Sequence, residues 1–410
     1  MSQYLETLRH RVLIFDGAMG TSLQTQNLTA ADFGGDALEG CNDHLVLSRP
    51  DAVEHVHASF LEVGCDVLET NTFRSNRLTM REYGLQDQIL EINRVAARLA
   101  RGVADRFATR ERPRFVAGSI GPSGLLPSTS DPVLGNITYD ELADVFAEQA
   151  QGLIEGGVDV LLIETSQDIL EVKAAIAGIR RYMKSAGVNV PIQAQITLDT
   201  SGRMLLGTDI AASMVIIESL RADIIGLNCS TGPEHMRQPV RFLAENSRLP
   251  ISVIPNAGIP LNQAGVAFYP LTPDALADAH EEFVTRIGVS IVGGCCGTTP
   301  EHLRAVVERV WGRKPLERNV PLVPRAASAM TAFNMKQDPP PTLIGERVNA
   351  QGSRAVKRLL LAEDYDGILD VARGQVEAGS HLLDVCVAVT ERQDEDVQMG
   401  AIVKLLAQGV

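Results

Sequence analysis

The sequence has little from which to build a secreted, membrane-spanning or nucleic-acid-binding protein. Six cysteines (Cys41, Cys65, Cys229, Cys295, Cys296, Cys386) in 410 residues are too few for a disulfide scaffold. No apolar run approaches the roughly 20 residues needed to cross a bilayer, and the opening MSQYLETLRHR lacks the apolar stretch of a secretory signal. A reducing, cytoplasmic setting is therefore expected, where clustered cysteines more often hold metal or do chemistry. Positive charge is also scarce. Lys and Arg number 37 against 51 Asp and Glu, a net charge of -14, which argues against a nucleic-acid or anionic-membrane surface. The eight histidines form no ligand constellation, and His55 and His57, two apart on an expected helix, do not share a face.

What is present is a repeated grammar. Eight short apolar runs each close on polar or glycine-rich residues: Val12–Phe15, Asp66–Phe73, Arg114–Pro122, Val158–Asp168, Asn189–Asp199, Ala222–Ser230, Pro250–Gly258 and Val289–Thr298. Between them lie stretches of helical character, such as Asp51–Gly64 and Tyr139–Gly157. Thr272-Pro273-Asp274 and Thr299-Pro300-Glu301 each read as an N-cap with proline at the first helical position. Strand and helix alternating eight times predict an α/β fold, a (β/α)8 TIM barrel over residues 1–312. A doubly wound open sheet is the alternative, but DGAMGT after the first run is a poor match to its GxGxxG phosphate loop. Residues 313–341 are proline-rich and without clear period, an expected interdomain linker. Residues 342–410 then offer about two further strand–helix units, which cannot close a barrel. They are expected to be the truncated start of a second α/β barrel domain, poorly packed alone or docked on the first.

The barrel places active groups at the C-terminal ends of strands. Asp16, Asn71, Glu164, Asn228, Cys229, Asn256, Cys295 and Cys296 all fall at such ends. VSIVGGCCGT (289–298) is unusual, because glycines weaken a strand and free the backbone for turns. With Cys229 closing ADIIGLNCS, three thiols stand at the same end of two strands, which suggests one metal site. Zinc suits thiolate ligands, and a catalytic site keeps a position open beside three protein ligands. Three thiolates on Zn²⁺ leave a site of net charge about -1, suited to holding a substrate thiol as thiolate. Such a site withdraws little electron density, so the electrophile is expected to be a methyl or alkyl group. Other readings stay open here. The vicinal cysteines could be small buried residues, or a closed structural zinc could take His302 as fourth ligand; a disulfide between neighbours would be strained. Asp16 and Glu164 could cap turns or helices, and Asn71, Asn228 and Asn256 could be loop-stabilising amides. Cys41, Cys65 and Cys386 are expected to be unliganded, Cys65 in the core.

In order along the chain, FDGAMGT, ETNTF, GSIGP, ETSQD, GLNCS, PNAG and GGCCGTTPEH resemble the homocysteine S-methyltransferase domain over residues 1–312. The segment IGERVNAQGSR followed by AGSHLLDVCV is similar to the start of a pterin-binding domain, so the whole chain resembles the N-terminal part of the cobalamin-dependent methionine synthases. The resemblance implies zinc on Cys229, Cys295 and Cys296, homocysteine sulfur as the fourth ligand, and methylcobalamin as methyl donor. It also implies that Asp16, Gly17, Ala18 and Glu164 hold the polar end of the amino acid, with Asn71 and Asn256 as neighbours. Carboxylates suit its ammonium, and backbone N–H groups its carboxylate. The sequence departs from the family where Asp-x-His-x-x-Gly, the corrinoid motif, is lacking, and where Val348 and Cys386 replace expected polar residues. The cobalamin-binding domain and the remainder of the pterin-binding domain are therefore expected on parts absent from this sequence. Betaine or S-methylmethionine as donor, and a non-catalytic zinc or thiol-binding module, are the competing readings.

Overall fold

All eight apolar runs contribute strands to one parallel sheet in the computed structural model, which describes residues 2–129, 131–263 and 266–410. These strands are β1 (Leu13–Ile14), β2 (Val67–Glu69), β3 (Phe115–Ile120), β4 (Val160–Ser166), β5 (Ile192–Ile196), β6 (Ile224–Asn228), β7 (Ile251–Ile254) and β8 (Ile291–Val292). Their order is β1-β8-β7-β6-β5-β4-β3-β2. The two ends of that order meet, because Phe15 bridges Val67 and the amides of Asp66 and Asp16 donate to the carbonyls of Ile14 and Val67. The sheet is therefore a ring, and the (β/α)8 expectation holds.

Alternation along each strand sends every second residue inward. Leu13, Phe15, Val67, Phe115, Ala117, Val160, Leu162, Ile224, Ile254 and Ile291 share one buried cluster. The N-terminal end of the ring is plugged by the helix Gln3–His10, which the sequence reading did not foresee. Its Tyr4 and Leu8 join the inner cluster, and the Tyr4 hydroxyl donates to Gln193 Oε1 at 2.9 Å. Asp66, fully buried, anchors the same end. It takes two bonds from Arg11 at 2.7 and 3.0 Å and one from the Ile14 amide at 3.1 Å, with Arg112 and Arg114 within 3.6 Å.

The helices begin where the cap residues require. Thr138 and Glu141 form a capping box for Tyr139–Gly156, Thr272 caps Pro273–Glu282, and Thr299 caps Pro300–Val310. A short antiparallel hairpin, Leu261–Gln263 with Val266–Phe268, follows β7 and was not expected. Among the described residues no helix is long and apolar enough to cross a membrane.

The chain divides into two compact units, Met1–Pro321 and Leu322–Val410. The proline-rich stretch is not featureless, since Arg325–Ala327 and Ala332–Asn334 pair antiparallel. In the second unit Ile344–Asn349 and Leu382–Cys386 pair in parallel, with helices Arg354–Leu361, Tyr365–Glu377 and Glu395–Gly409. This unit has a buried cluster of its own that includes Val348, Leu360, Ile368, Ala372 and Ile402. Val348 is thus a core residue there, which gives its apolar character a packing reason.

Candidate metal centre

Cys229 is the first residue after β6, and Gly293-Gly294 separate β8 from Cys295 and Cys296. The Cys229 amide donates to the Ile254 carbonyl at 3.1 Å. The residues after β7 also hold the cysteine pair. The Cys295 amide donates to Pro255 O at 2.8 Å, the Cys296 amide to Asn256 Oδ1 at 3.1 Å, and the Ala257 amide to Cys296 O at 2.9 Å. The three sulfurs consequently lie within 4.8 Å of one another, with Cys229 and Cys296 at 3.9 Å. All three cysteines are free and partly buried. Hydrogen bonds from Cys229 and then Cys295 hold the Cys296 thiol well below its usual range. The glycines serve this packing. A Cβ on Gly294 would overlap the Thr298 side chain, and one on Gly297 (φ +78) would lie 2.1 Å from Tyr269 Cγ.

This donor set fits zinc, with three soft sulfur ligands converging on one point. Among the described residues no fourth His, Cys, Asp or Glu joins the group. His302 is occupied elsewhere, since Nδ1 accepts from the Thr299 amide at 3.2 Å and Nε2 pairs with Leu271 O at 2.9 Å.

Beside the thiols lies a cluster of acids. Glu164, near the end of β4, accepts from Ser119 Oγ at 2.5 Å and from Asn228 Nδ2 at 3.1 Å. Burial lifts its carboxyl to about 7. Asp16 accepts from the Glu69 amide at 3.1 and 3.2 Å. Burial raises Asp16 well above the usual range, backbone hydrogen bonds pull it back, and the Glu164 charge adds to the rise. Glu69 is raised by burial, then by the charges of Glu164 and Asp16. Burial dominates all three shifts, and no cation offsets it. Neither Asp16 nor Glu164 caps a helix. Sequence reasoning missed Glu69, Ser119 and Tyr269. Glu69 looked like one more residue of a strand run, and only its alternation with the inward Val67 marks it as facing the barrel interior.

The remaining expected residues divide. Gly17 has no room for a side chain, since a Cβ would lie 2.7 Å from Phe60 and 2.8 Å from Thr298 Oγ1. The Ala18 amide donates to Thr298 Oγ1 at 3.2 Å, and that hydroxyl donates to Cys295 O at 2.7 Å, so the DGAMG turn is tied to the cysteine loop. Asn256 orients Cys296. Asn71 donates to Asn42 O at 2.7 Å. Cys41 and Cys65 are buried apart from the cluster, and Cys386 lies in the second unit.

Comparisons with known proteins bear on the chain as a whole. The family profile described as Homocysteine S-methyltransferase matches residues 13–310, and that described as Pterin binding enzyme matches 345–409. The chain is 44% identical over 403 residues to the methionine synthase of Mycobacterium tuberculosis (strain ATCC 25618 / H37Rv), across 98% of this chain and 33% of that protein. It is 45% identical over 388 residues to the methionine synthase of Mycobacterium leprae (strain TN), across 93% of this chain and 32% of that protein. The chain thus spans about a third of the length of the curated relatives it matches. The solved structure of the homocysteine methyltransferase MmuM from Escherichia coli, metallated form, is similar with a TM-score of 0.60 at 20% identity, over 75% of this chain and 99% of that one. Its oxidised form gives 0.59 at the same identity, over 73% and 96%, and both speak to the fold alone. Because the first profile covers most of the barrel-forming sequence, and most of the chain, the chain belongs to the homocysteine S-methyltransferase family.

Proposed function

We propose that this chain methylates homocysteine on sulfur, with Cys229, Cys295 and Cys296 holding zinc and methylcobalamin giving the methyl group. One observation carries the reading: three thiol sulfurs lie within 4.8 Å at the ends of two barrel strands, with no fourth His, Cys, Asp or Glu among the described residues. Bound there, zinc supplies a site at which a substrate thiol gives up its proton at neutral pH.

The chain's own groups do the rest. Asp16, Glu69 and Glu164 form a buried acidic wall that no cation offsets, suited to the ammonium of an amino acid. The substrate carboxylate is assigned to the Gly17 amide, because in this turn the Asp16 amide is taken by Val67 O and the Ala18 amide by Thr298 Oγ1, which couples the turn to the cysteine loop. Asn256 orients Cys296, and Asn71 braces the rim. Methylcobalamin would supply the methyl group to a homocysteine thiol held beside the three cysteines, the electron pair of the broken donor bond remaining on the donor. The choice of cobalamin rests on the second segment. Residues 342–410 are read as the N-terminal portion of a pterin-binding domain, with 313–341 as the connection and with cobalamin carried by domains beyond this sequence. Six free cysteines suit a cytoplasmic setting.

The test is methionine formation from homocysteine with methylcobalamin, S-methylmethionine or betaine supplied in parallel, with and without a zinc chelator. Turnover with methylcobalamin alone, abolished by the chelator, is expected. Chelator-resistant turnover would overturn the zinc reading, and turnover with another donor would overturn the cobalamin reading.

A further inference from the structure

His280 lies in the helix Pro273–Glu282 and is fully buried. Its Nε2 is 2.9 Å from the carbonyl oxygen of Gly293. A carbonyl can only accept, so Nε2 carries the proton. Nδ1 is buried and has no partner among the described residues. A second proton there would be a buried charge with nothing to accept it, so the ring is neutral. The Phe283 ring stands edge-on to it, with centroids 6.0 Å apart and planes at 73°. The imidazole is thus a fixed neutral donor with one polar link, and that link ends two residues before Cys295.

Gly293 and Gly294 join β8 to the cysteine pair. Glycine has no Cβ to restrict φ and ψ, so the course of this turn is set by its neighbours. One restraint comes from the end of β1. The Gly294 amide donates to Asp16 O at 3.2 Å, and Phe15 packs so closely that a Cβ at 293 would lie 2.7 Å from its Cβ. The other comes from His280, which reaches the turn from a helix of the layer around the ring.

We propose that His280 is a positioning residue of the metal centre, whose Nε2–H holds the Gly293 carbonyl and so fixes where the turn delivers Cys295 and Cys296 toward Cys229. This rests on the reading that the three cysteines hold zinc. His280 is no member of the thiol group and acts through the backbone. A turn held in place before the ion arrives leaves less chain to order on binding, and supporting groups of this kind carry much of a metal site's affinity.

The experiment measures zinc affinity of the reduced full chain by competition with a chromogenic chelator, and records thiolate-to-cobalt charge-transfer bands after Co²⁺ loading. His280→Leu keeps an apolar side chain of moderate size and removes the donor. Its zinc affinity is expected to fall roughly 10- to 100-fold, with broadened cobalt bands and an unchanged far-ultraviolet circular dichroism spectrum. His280→Gln can place an amide N–H near the position of Nε2, and is expected to recover most of the affinity and the wild-type bands. Zinc affinity in His280→Leu equal to wild type would overturn the proposal, as would His280→Gln binding no better than His280→Leu. Loss of fold in His280→Leu would also overturn it, by making His280 a residue of the fold. A folded wild type that takes up no zinc would instead overturn the three-cysteine site itself.

Discussion

Cys229, Ser230 and Thr165 all adopt positive φ, at 60°, 60° and 57°, a region that costs a non-glycine residue about 1–3 kcal/mol. Thr165 is β-branched, which makes its conformation more unusual still. Asn228 stabilises this arrangement, because Oδ1 accepts the Thr165 amide at 2.8 Å while Nδ2 donates to Thr165 Oγ1 at 2.8 Å and to Glu164 at 3.1 Å. Thr165 adjoins Glu164 and Cys229 is one of the three clustered thiols, so the strain sits beside the candidate site. Glu164→Gln preserves shape and removes charge. It is expected to raise KM for homocysteine roughly 10- to 100-fold, the weight of one hydrogen bond to a charged group, while metal analysis finds zinc unchanged. Cys295→Ala is expected to lose zinc and activity but keep its far-ultraviolet circular dichroism, since the ring is held by strand pairing and core packing. The cysteines were legible in the sequence because Gly-Gly-Cys-Cys-Gly makes poor strand and poor helix. Tyr269 was not, because its relevance comes from contact with Gly297 across a loop.

At the scale of elements, the loop opening at Gly121 is tied to the helix Ile169–Ala186. Ser123 N and Oγ donate to Glu171 Oε1 at 2.8 and 2.5 Å, and Ser128 N and Oγ donate to Asp168 at 2.8 and 2.6 Å. Glu171 is 2% exposed. Burial pushes its carboxyl up to about 7, against the opposing pull of the Ser123 bonds. A carboxyl raised on folding binds its proton more tightly in the native state. Its contribution is full below the unfolded value near 4.3 and is lost as pH rises through about 7. Wild type is therefore expected to lose roughly 2–3 kcal/mol relative to Glu171→Gln between pH 4.5 and pH 8, read from urea denaturation of both proteins at each pH. The eight strands were legible because each apolar run stops at polar residues, a break that helices of this length do not show. The hairpin after β7 was not, because three-residue strands carry no period. Nor was Gln3–His10, whose inward Tyr4 is an isolated aromatic until the barrel exists around it.

Across the whole barrel unit, Asp66 joins elements far apart in sequence. Arg11 precedes β1, Arg112 and Arg114 precede or open β3, and the Arg112 guanidinium also stacks 4.6 Å over Trp311, next to the last barrel helix. Asp66→Ala leaves these cations facing a buried gap, and is expected to cost about 3–5 kcal/mol, measured by chemical denaturation, with metal content unchanged at the opposite end. The first compact unit contains all three thiols and the acidic wall. A fragment covering Met1–Pro321 is therefore expected to fold and to bind zinc with the affinity of the full chain, checked by competition with a chromogenic chelator. The placement of the thiols has one more consequence. Two of them follow β8, the strand that pairs with both β7 and β1 to complete the ring. A chain emerging from the ribosome holds only Cys229 of the three until almost the entire barrel has been synthesised. On the reading that the thiols hold zinc, the site can be complete only once β8 has been made, so zinc uptake during synthesis is expected to report the closing of the last strand.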